Sequence, residues 1–245
     1  MTPKLWAHMF FISVLSNIGP FSLIAYGQQT ISAGLSGQLN SSTAFFTVII
    51  VALFIPQEKV SFNRIIGTIV GIVGVIITIG YEHIFEFTES SFGQYLVLLA
   101  GLSYAIGGIW TRIFIKDVSS TASTAVMLIS SAVIITPLCF ALGEFNDFDF
   151  QVFTPTIILY TLAFSIIGTG VAYLLYFKIL QNAGVTNVML VTIIIPPMTV
   201  ILDALILLQF ITLNQWIGLL IIIAGLLILD GRIFKGKLHK LVSKG

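Results

Sequence analysis

One acidic residue stands well inside an apolar run, and it is the side chain with the clearest chemical potential. Asp203 lies within the run MTVILDALILLQ at 198–209. An ionised carboxylate there costs roughly 2.5–3.5 kcal/mol on membrane-insertion scales. Three interpretations stay open. In the first, Asp203 is a protonatable or solute-contacting group that faces a wet cavity. In the second, it lies near the end of its helix and reaches the interface or a neighbouring hydroxyl. In the third, it arose by mutational drift in a decaying gene. Under the first interpretation, Asp203 is our candidate for proton coupling.

Neutral polar side chains share single helical faces in several other apolar runs. The spacing groups Ser13 with Asn17; Asn40 with Thr43 and Thr47; and Thr169 with Tyr173 and Tyr176, while Tyr104 and Trp110 lie on the fourth span. Such side chains join membrane helices by hydrogen bonds worth about 0.6 kcal/mol on average. As a set, they also suit the wall of a cavity near the bilayer midplane. The residues we select as candidate solute contacts are Asn17, Asn40, Tyr104, Thr169 and Tyr173.

Motifs of enzymes and of metal or nucleotide sites are missing from the sequence. It contains no nucleophile elbow and no Walker loop. His8, His83 and His239 are too scattered along the chain to suggest a metal site. The net charge of +1 gives no basic field for nucleic acid. We therefore expect no catalytic residue, no metal, no cofactor and no nucleic-acid partner.

The composition indicates a chain that lives in lipid. Of its 245 residues, 57% are hydrophobic and 9% are charged, whereas a soluble domain carries about 25% charged residues. A spanning helix needs roughly 20 mostly apolar residues. Turn and charge signals divide the sequence into eight such segments: 5–26, 33–55, 63–80, 92–115, 122–142, 155–177, 185–208 and 213–229. No segment alternates like a barrel strand, so the predicted fold is an all-α bundle of about eight transmembrane helices.

Charge segregation predicts the orientation of these spans. With eight spans, all 11 lysines and arginines fall on one side of the membrane. The opposite side holds six acids and no basic residue: Glu82, Glu86, Glu89, Glu144, Asp147 and Asp149. Because lysine and arginine mark the cytoplasmic face, we expect both termini in the cytoplasm and the loop at 81–91 outside.

Corresponding residues recur along the chain at a nearly constant interval. Tyr26 and Gly34 match Tyr176 and Gly184, 150 positions later, and Gly67, Gly74 and Gly80 match Gly218, Gly225 and Gly231, 151 positions later. Equivalent spans are five apart, an odd number, so they cross the membrane in opposite directions. This pattern predicts an inverted repeat, an architecture common in secondary transporters.

The repeat also predicts the domain boundaries. The first repeat covers 1–90 with three helices, the second covers 91–235 with five, and 236–245 forms a basic cytoplasmic tail. A five-helix unit leaves the first copy two spans short. We therefore expect two further spans to be encoded upstream or supplied by a partner, with a homo-oligomer as another arrangement.

Three stretches resemble one known family in order and spacing. They are NIGPFSLIAYGQQTISAGLSGQLNSSTAFFT at 17–47, LAGLSYAIGGIW at 99–110, and GTGVAYLLYFKILQNAGVTNVMLVTIIIPP at 168–197. This sequence resembles the EamA-type permeases of the drug/metabolite transporter (DMT) superfamily, which have ten spans in two inverted five-helix repeats. The chain departs from the family pattern at Phe45, where proline is usual, and at Asp203, where glycine is common.

The resemblance implies a function and a place in the cell. We expect a secondary transporter that moves a small organic solute, such as an amino acid, a related metabolite or a drug, across a bacterial inner membrane by alternating access. Its partners would be the solute and the lipid bilayer. The alternative is a truncated remnant or scaffold that transports nothing.

Overall fold

A computed structural model describes residues 3–55, 60–80, 88–115, 118–143, 152–183 and 185–231. Every long regular element in this part of the chain is helical, which confirms the predicted all-α fold. The α-helices are α1 (Pro3–Ser13), α2 (Gly19–Gly27), α3 (Ala33–Asn40), α4 (Ser42–Phe54), α5 (Phe62–Ile79), α6 (Glu89–Phe114), α7 (Ser120–Ala141), α8 (Pro155–Ala163), α9 (Ala172–Ala183), α10 (Val185–Ile206) and α11 (Leu213–Asp230). Two π-helical stretches complete the list, the first π segment (Val14–Ile18) and the second π segment (Phe164–Val171).

Seven stretches of the described residues are long and apolar enough to cross a membrane. They are Pro3–Gly27, Ala33–Phe54, Phe62–Ile79, Glu89–Phe114, Thr121–Ala141, Pro155–Ile179 and Leu213–Asp230. They correspond to seven of the eight predicted spans. The remaining one, predicted at 185–208, corresponds to α10, within which Ile193–Ile206 forms a shorter apolar helix. The chain is a multi-pass membrane protein.

The chain divides into two compact units. The first unit comprises Met1–Ile18 and Trp110–Val188. In it, α7 packs against α1, the first π segment and α9. Its apolar core consists of Met9, Ile12, Val126, Met127 and Phe177.

The second unit comprises Gly19–Ile109 and Met189–Gly245. Its core is built mainly from α3, α4, α5 and α11, and includes Leu39, Phe45, Ile222 and Leu226. Both units take helices from each predicted repeat, and the boundaries 1–90 and 91–235 remain predictions. The predicted tail at 236–245 and most of the loop at 81–91 lie outside the described residues.

Glycines let α5 and α11 approach to backbone contact within the second unit. A methyl group added at Gly67 would lie 2.5 Å from Leu229 N and 2.7 Å from Gly225 O, and one added at Gly74 would lie 2.7 Å from Ile222 N. Since glycine has no Cβ, it permits this approach between membrane helices.

The register of the α5–α11 contact matches the predicted repeat. Gly67 packs against Gly225, and Gly74 packs against Gly218. Gly67 and Gly218 are repeat-equivalent, and so are Gly74 and Gly225. Applying the repeat equivalence to the first contact therefore gives the second contact, as in a self-complementary interface around a two-fold axis. The helices run antiparallel, in agreement with the inverted repeat.

The bulky residue at position 45 is accommodated by a glycine. Phe45 is fully buried, and its ring lies against Gly71, at the position that a side chain on Gly71 would occupy. This packing explains how α4 carries an aromatic ring where the family resemblance predicts a proline.

Candidate functional site

Two spans change from α-helix to π-helix near their centres. The first π segment interrupts the 25-residue span Pro3–Gly27, and the second π segment interrupts the 25-residue span Pro155–Ile179. Val14 and Phe164, where the two segments begin, are 150 positions apart, the interval that relates Tyr26 to Tyr176. The irregularity thus occurs at equivalent places in the predicted repeats. π-Helical turns inside α-helices are rare and frequently occur at functional sites.

A side-chain hydroxyl donates to one carbonyl of the first π segment, because Tyr173 Oη lies 2.5 Å from Ser16 O. In an α-helical turn the donor to this carbonyl would be the N–H of residue 20, and Pro20 has none. Tyr173 lies on α9, two residues after the second π segment. The hydroxyl therefore joins a residue beside one π segment to the backbone of the other.

Next to this bond, a chain of hydrogen bonds holds Asn17 against α7. Asn17 is 7% exposed, and its Nδ2 donates to Ser131 Oγ at 3.0 Å. The Ser131 hydroxyl in turn donates to Met127 O at 2.9 Å. Ser13 Oγ lies 2.7 Å from Met9 O and 2.9 Å from Met127 O, so its single hydrogen is shared between two carbonyls.

The amide of Asn17 is oriented by this chain. Because Ser131 donates its only hydroxyl hydrogen to Met127 O, it accepts from Asn17, which identifies the nitrogen as the atom facing Ser131. The Asn17 Oδ1 atom, an acceptor, is therefore the amide atom that does not bond to Ser131. Together, Ser16 O and Asn17 Oδ1 place two acceptors on consecutive residues of the first π segment.

The five predicted solute contacts fall in both units. Asn17, Thr169 and Tyr173 belong to the first unit, and Asn40 and Tyr104 belong to the second. Asn17 and Thr169 lie on the two π segments, where Thr169 is half-buried. The structure brings Tyr173 to Ser16, the residue next to Asn17.

Asn40 and Tyr104 occupy half-buried positions on α3 and α6. Asn40 ends α3, and its Oδ1 is buried without a hydrogen-bond partner among the described residues. Thr43 Oγ1 donates to Asn40 O at 2.8 Å, and Thr47 Oγ1 donates to Thr43 O at 2.7 Å. These two threonines therefore bond to the backbone of their own span, and Asn40 alone on this face keeps a buried acceptor unpaired.

Asp203 is buried against the first turn of a helix in the second unit. It is 3% exposed, and its Oδ2 lies 2.6 Å from the position of a Cβ on Gly34. Gly34 follows the N-cap Ser32, whose side chain accepts from Leu35 N. The N-terminus of a helix carries a partial positive charge that stabilises a carboxylate. The Oδ1 atom has no hydrogen-bond partner in the described part of the chain.

Trp110, which shares the fourth span with Tyr104, lies in an aromatic cluster of the first unit. Its ring centroid is 4.5 Å from those of Phe11 and Phe114, and His8 stacks on Phe114 at 4.5 Å. Its Nε1 is buried without a partner among the described residues. Trp110 packs with apolar rings rather than with the polar groups around Asn17.

Sequence reasoning missed the carbonyl of Ser16, the hydroxyl of Ser131 and the contact between Asp203 and Gly34. A signal existed for the first, because a proline in mid-span frees the carbonyl four residues before it. A weaker signal existed for the second, since Ser130 and Ser131 stand together in an apolar run. The third depends on which helices pack together, which spacing within one helix does not encode.

The sequence model of the EamA-like transporter family matches residues 1–80 and 91–229. The chain belongs to the EamA-like transporter family. This EamA-like chain is 23% identical over 215 residues to the uncharacterized transporter YoaV of Bacillus subtilis (strain 168), covering 88% of this chain and 72% of the relative. It is 26% identical over 229 residues to the uncharacterized transporter YetK of the same organism, covering 90% of this chain and 67% of the relative. The family and both relatives point to a transporter rather than an enzyme.

Proposed function

We propose that this EamA-like protein is a secondary transporter that moves a small organic solute, such as an amino acid or a related amine, across the cytoplasmic membrane. One observation carries the proposal, the pair of π segments at repeat-equivalent positions in the centres of two spans. Irregular backbone at membrane depth is tolerated where it is buried in protein or lines a wet cavity. Broken helices near the midplane are where transporters with inverted repeats bind their solutes.

The solute contacts we propose are the five residues selected from the sequence. Asn17 and Thr169 offer an amide and a hydroxyl in the first unit, and Asn40 and Tyr104 offer an amide and a hydroxyl in the second. Tyr173 lines the first-unit part of the site with its ring, while its hydroxyl donates to Ser16 O. All five are neutral groups that form hydrogen bonds. Such groups orient a small polar molecule without holding it so tightly that release becomes slow.

Asp203 is our candidate for coupling transport to protons. It is the one charged side chain well inside an apolar run, and one of its oxygens is buried without a partner among the described residues. A carboxyl group in such a place changes the local charge when it gains or loses a proton. Its position against α3 favours a second role as the counter-charge of that helix N-terminus. The two roles are compatible if protonation weakens the contact between α10 and α3.

We further propose the orientation that the charge pattern predicts, with both termini in the cytoplasm. A reporter enzyme active only in the periplasm should then be inactive when fused after Gly245 and active when inserted at 81–91. Periplasmic activity of the C-terminal fusion would overturn the orientation.

Flux into proteoliposomes tests the function itself. The purified full chain should give saturable uptake of at least one labelled solute from a panel of amino acids, amines and organic acids. Replacing Asn17 by Ala or Thr169 by Val should each lower the initial rate at least about threefold, as expected for one lost hydrogen bond. Thr161→Val is the matched control, because Thr161 precedes Thr169 in the same span and is exposed. No saturable uptake from the whole panel would sink the proposal.

A further inference from the structure

We infer that Ser16 O and Asn17 Oδ1 form a subsite for the amino group of the solute, and that the Tyr173 hydroxyl occupies this subsite until the amine displaces it. The inference rests on the proposed transport function and deepens it by naming the chemical class of the solute. It predicts solutes that carry an ammonium or amine group and excludes a carboxylate from this position.

The carbonyl of Ser16 needs a donor because it lies in the centre of a span. Every backbone polar group in the hydrocarbon region must be satisfied within the protein. Pro20 lacks the N–H that would donate to Ser16 O in an α-helical turn, and the Tyr173 hydroxyl donates to this carbonyl at 2.5 Å. A side-chain donor differs from a backbone donor, because rotation about its side-chain bonds releases it without unwinding a helix. The bond between Tyr173 and Ser16 is therefore exchangeable for a bond from a solute.

The groups around this position favour a donor over an acceptor. Ser16 O is a carbonyl, and Asn17 directs its nitrogen to Ser131, which leaves its oxygen as the second acceptor. Unwound backbone carbonyls are the groups that bind cations in transporters with inverted repeats. A carboxylate brings only acceptors, so next to two acceptor oxygens it would be repelled.

The distribution of charged residues along the sequence also favours an amine over a carboxylate. Apart from Asp203, the charged residues lie near the ends of the apolar runs or outside them. No lysine or arginine lies in the centre of a predicted span, where it would balance a solute carboxylate. Asp203, the one charge well inside an apolar run, is negative and suits a cationic solute.

A matched set of probes tests the chemical class. Phenethylamine, N-acetylphenethylamine and hydrocinnamate share a ring and a short chain but end in an amine, an amide and a carboxylate. Isothermal titration calorimetry on the purified full chain in detergent should give the tightest binding for the amine and the weakest for the carboxylate. Equal affinity for the amine and the carboxylate, or no binding of the amine at millimolar concentration, would overturn the inference.

Two substitutions with opposite expected effects test the displacement. Tyr173→Phe removes the resident donor, so the dissociation constant of phenethylamine should fall about two- to tenfold, the range expected for one hydrogen bond. Pro20→Ala restores an N–H that bonds to Ser16 O, so the same constant should rise by a similar factor. Tyr160→Phe is the matched control, since it removes a phenol hydroxyl from an exposed position of the same span, and it should leave the dissociation constant unchanged.

If either Tyr173→Phe or Pro20→Ala folds poorly, the other variant still tests the inference. Weaker amine binding in Tyr173→Phe would show that the hydroxyl contacts the amine rather than competing with it. Unchanged binding in Pro20→Ala would show that Ser16 O is not the acceptor. Amine-selective binding without flux in proteoliposomes would leave this subsite in place and count against the transport function. Flux without a preference for amines would support the transport function and count against this subsite.

Discussion

The two π segments and the α5–α11 pair show two ways of building a membrane helix contact. In the α5–α11 pair, glycines bring two regular helices into backbone contact. Around the π segments, the backbone itself is irregular, and Tyr173, Asn17 and Ser131 hydrogen-bond to it or beside it. The first arrangement leaves no room for a ligand. The second holds side-chain donors and acceptors against irregular backbone, and we propose that a solute exchanges with them.

This difference separates structural from functional candidates in a chain rich in both small and polar residues. The glycine contacts have few alternatives, because any added atom meets backbone. The contacts around Ser16 involve side-chain donors that have other rotamers and other partners. We therefore expect substitutions in the α5–α11 pair to change folding, and substitutions near the π segments to change solute binding more than folding.

The largest effect on folding should come from Gly225→Ala. The new methyl group would lie 2.6 Å from Gly71 N and 2.7 Å from Gly71 Cα, and backbone atoms cannot move aside cheaply. Overpacking of this kind costs about 1–3 kcal/mol. We expect a clear drop in the melting temperature measured on the purified protein in detergent.

Gly108→Ala is the control for this prediction. A Cβ at Gly108 meets nothing within 4 Å, and the alanine gains the same intrinsic helix preference. Its melting temperature should stay constant or rise slightly. Equal destabilisation by both substitutions would contradict the view that backbone contact between α5 and α11 holds the second unit together.

The repeat interval predicted that α5 and α11 are equivalent. It did not identify α11 as the partner of α5, because residue spacing along one helix defines its faces and not the helix that covers them. Hydropathy predicted the spans well, since lipid requires long apolar helices whatever their partners. It did not predict the π segments, because five and eight residues of wider helix leave the apolar character of their spans unchanged.

For the candidate site, the sequence predicted the polar side chains but not the backbone group. Asn17, Thr169 and Tyr173 stood out as polar residues in apolar runs, and the first unit holds all three. The role of the Ser16 carbonyl depends on a backbone atom that every residue possesses, so residue type says nothing about it. Only Pro20, four positions later, marked it.

A second effect concerns transport rather than folding. Asp203→Asn keeps the shape of the side chain and removes its charge, so transport should lose its dependence on pH while insertion into the membrane stays intact. Solute flux into proteoliposomes across a range of external pH measures this. A pH profile identical to that of the unmodified protein would make Asp203 a structural residue.

Gly34→Ala sharpens the test of Asp203. Its methyl group would lie 2.6 Å from Asp203 Oδ2 and would push the carboxylate away from the first turn of α3 without changing its charge. If the carboxylate acts through its contact with α3, this variant should alter the pH profile as well. If only the presence of the acid matters, Gly34→Ala should transport with the ordinary pH dependence.

The last prediction compares substitutions at two adjacent serines of α7. Ser131 Oγ accepts from Asn17 and donates to Met127 O, whereas Ser130 Oγ is buried with no partner among the described residues. Removing Ser131 Oγ leaves the Asn17 amide nitrogen buried without an acceptor, which costs about 1–3 kcal/mol. Removing Ser130 Oγ deletes a hydroxyl that has no hydrogen-bond partner among the described residues. Ser131→Ala should therefore lower the melting temperature, and Ser130→Ala should leave it unchanged or raise it.

The same two serine variants also test the proposed solute site. Without Ser131, the Asn17 amide is free to rotate, and its oxygen no longer has a fixed direction beside Ser16 O. Amine binding should then weaken about two- to tenfold in Ser131→Ala and stay constant in Ser130→Ala. Calorimetry with phenethylamine measures both variants on the same scale. Equal binding by the two variants would mean that Asn17 is held by helix packing alone, and the contrast between the rigid glycine contact and the exchangeable polar one would lose its support.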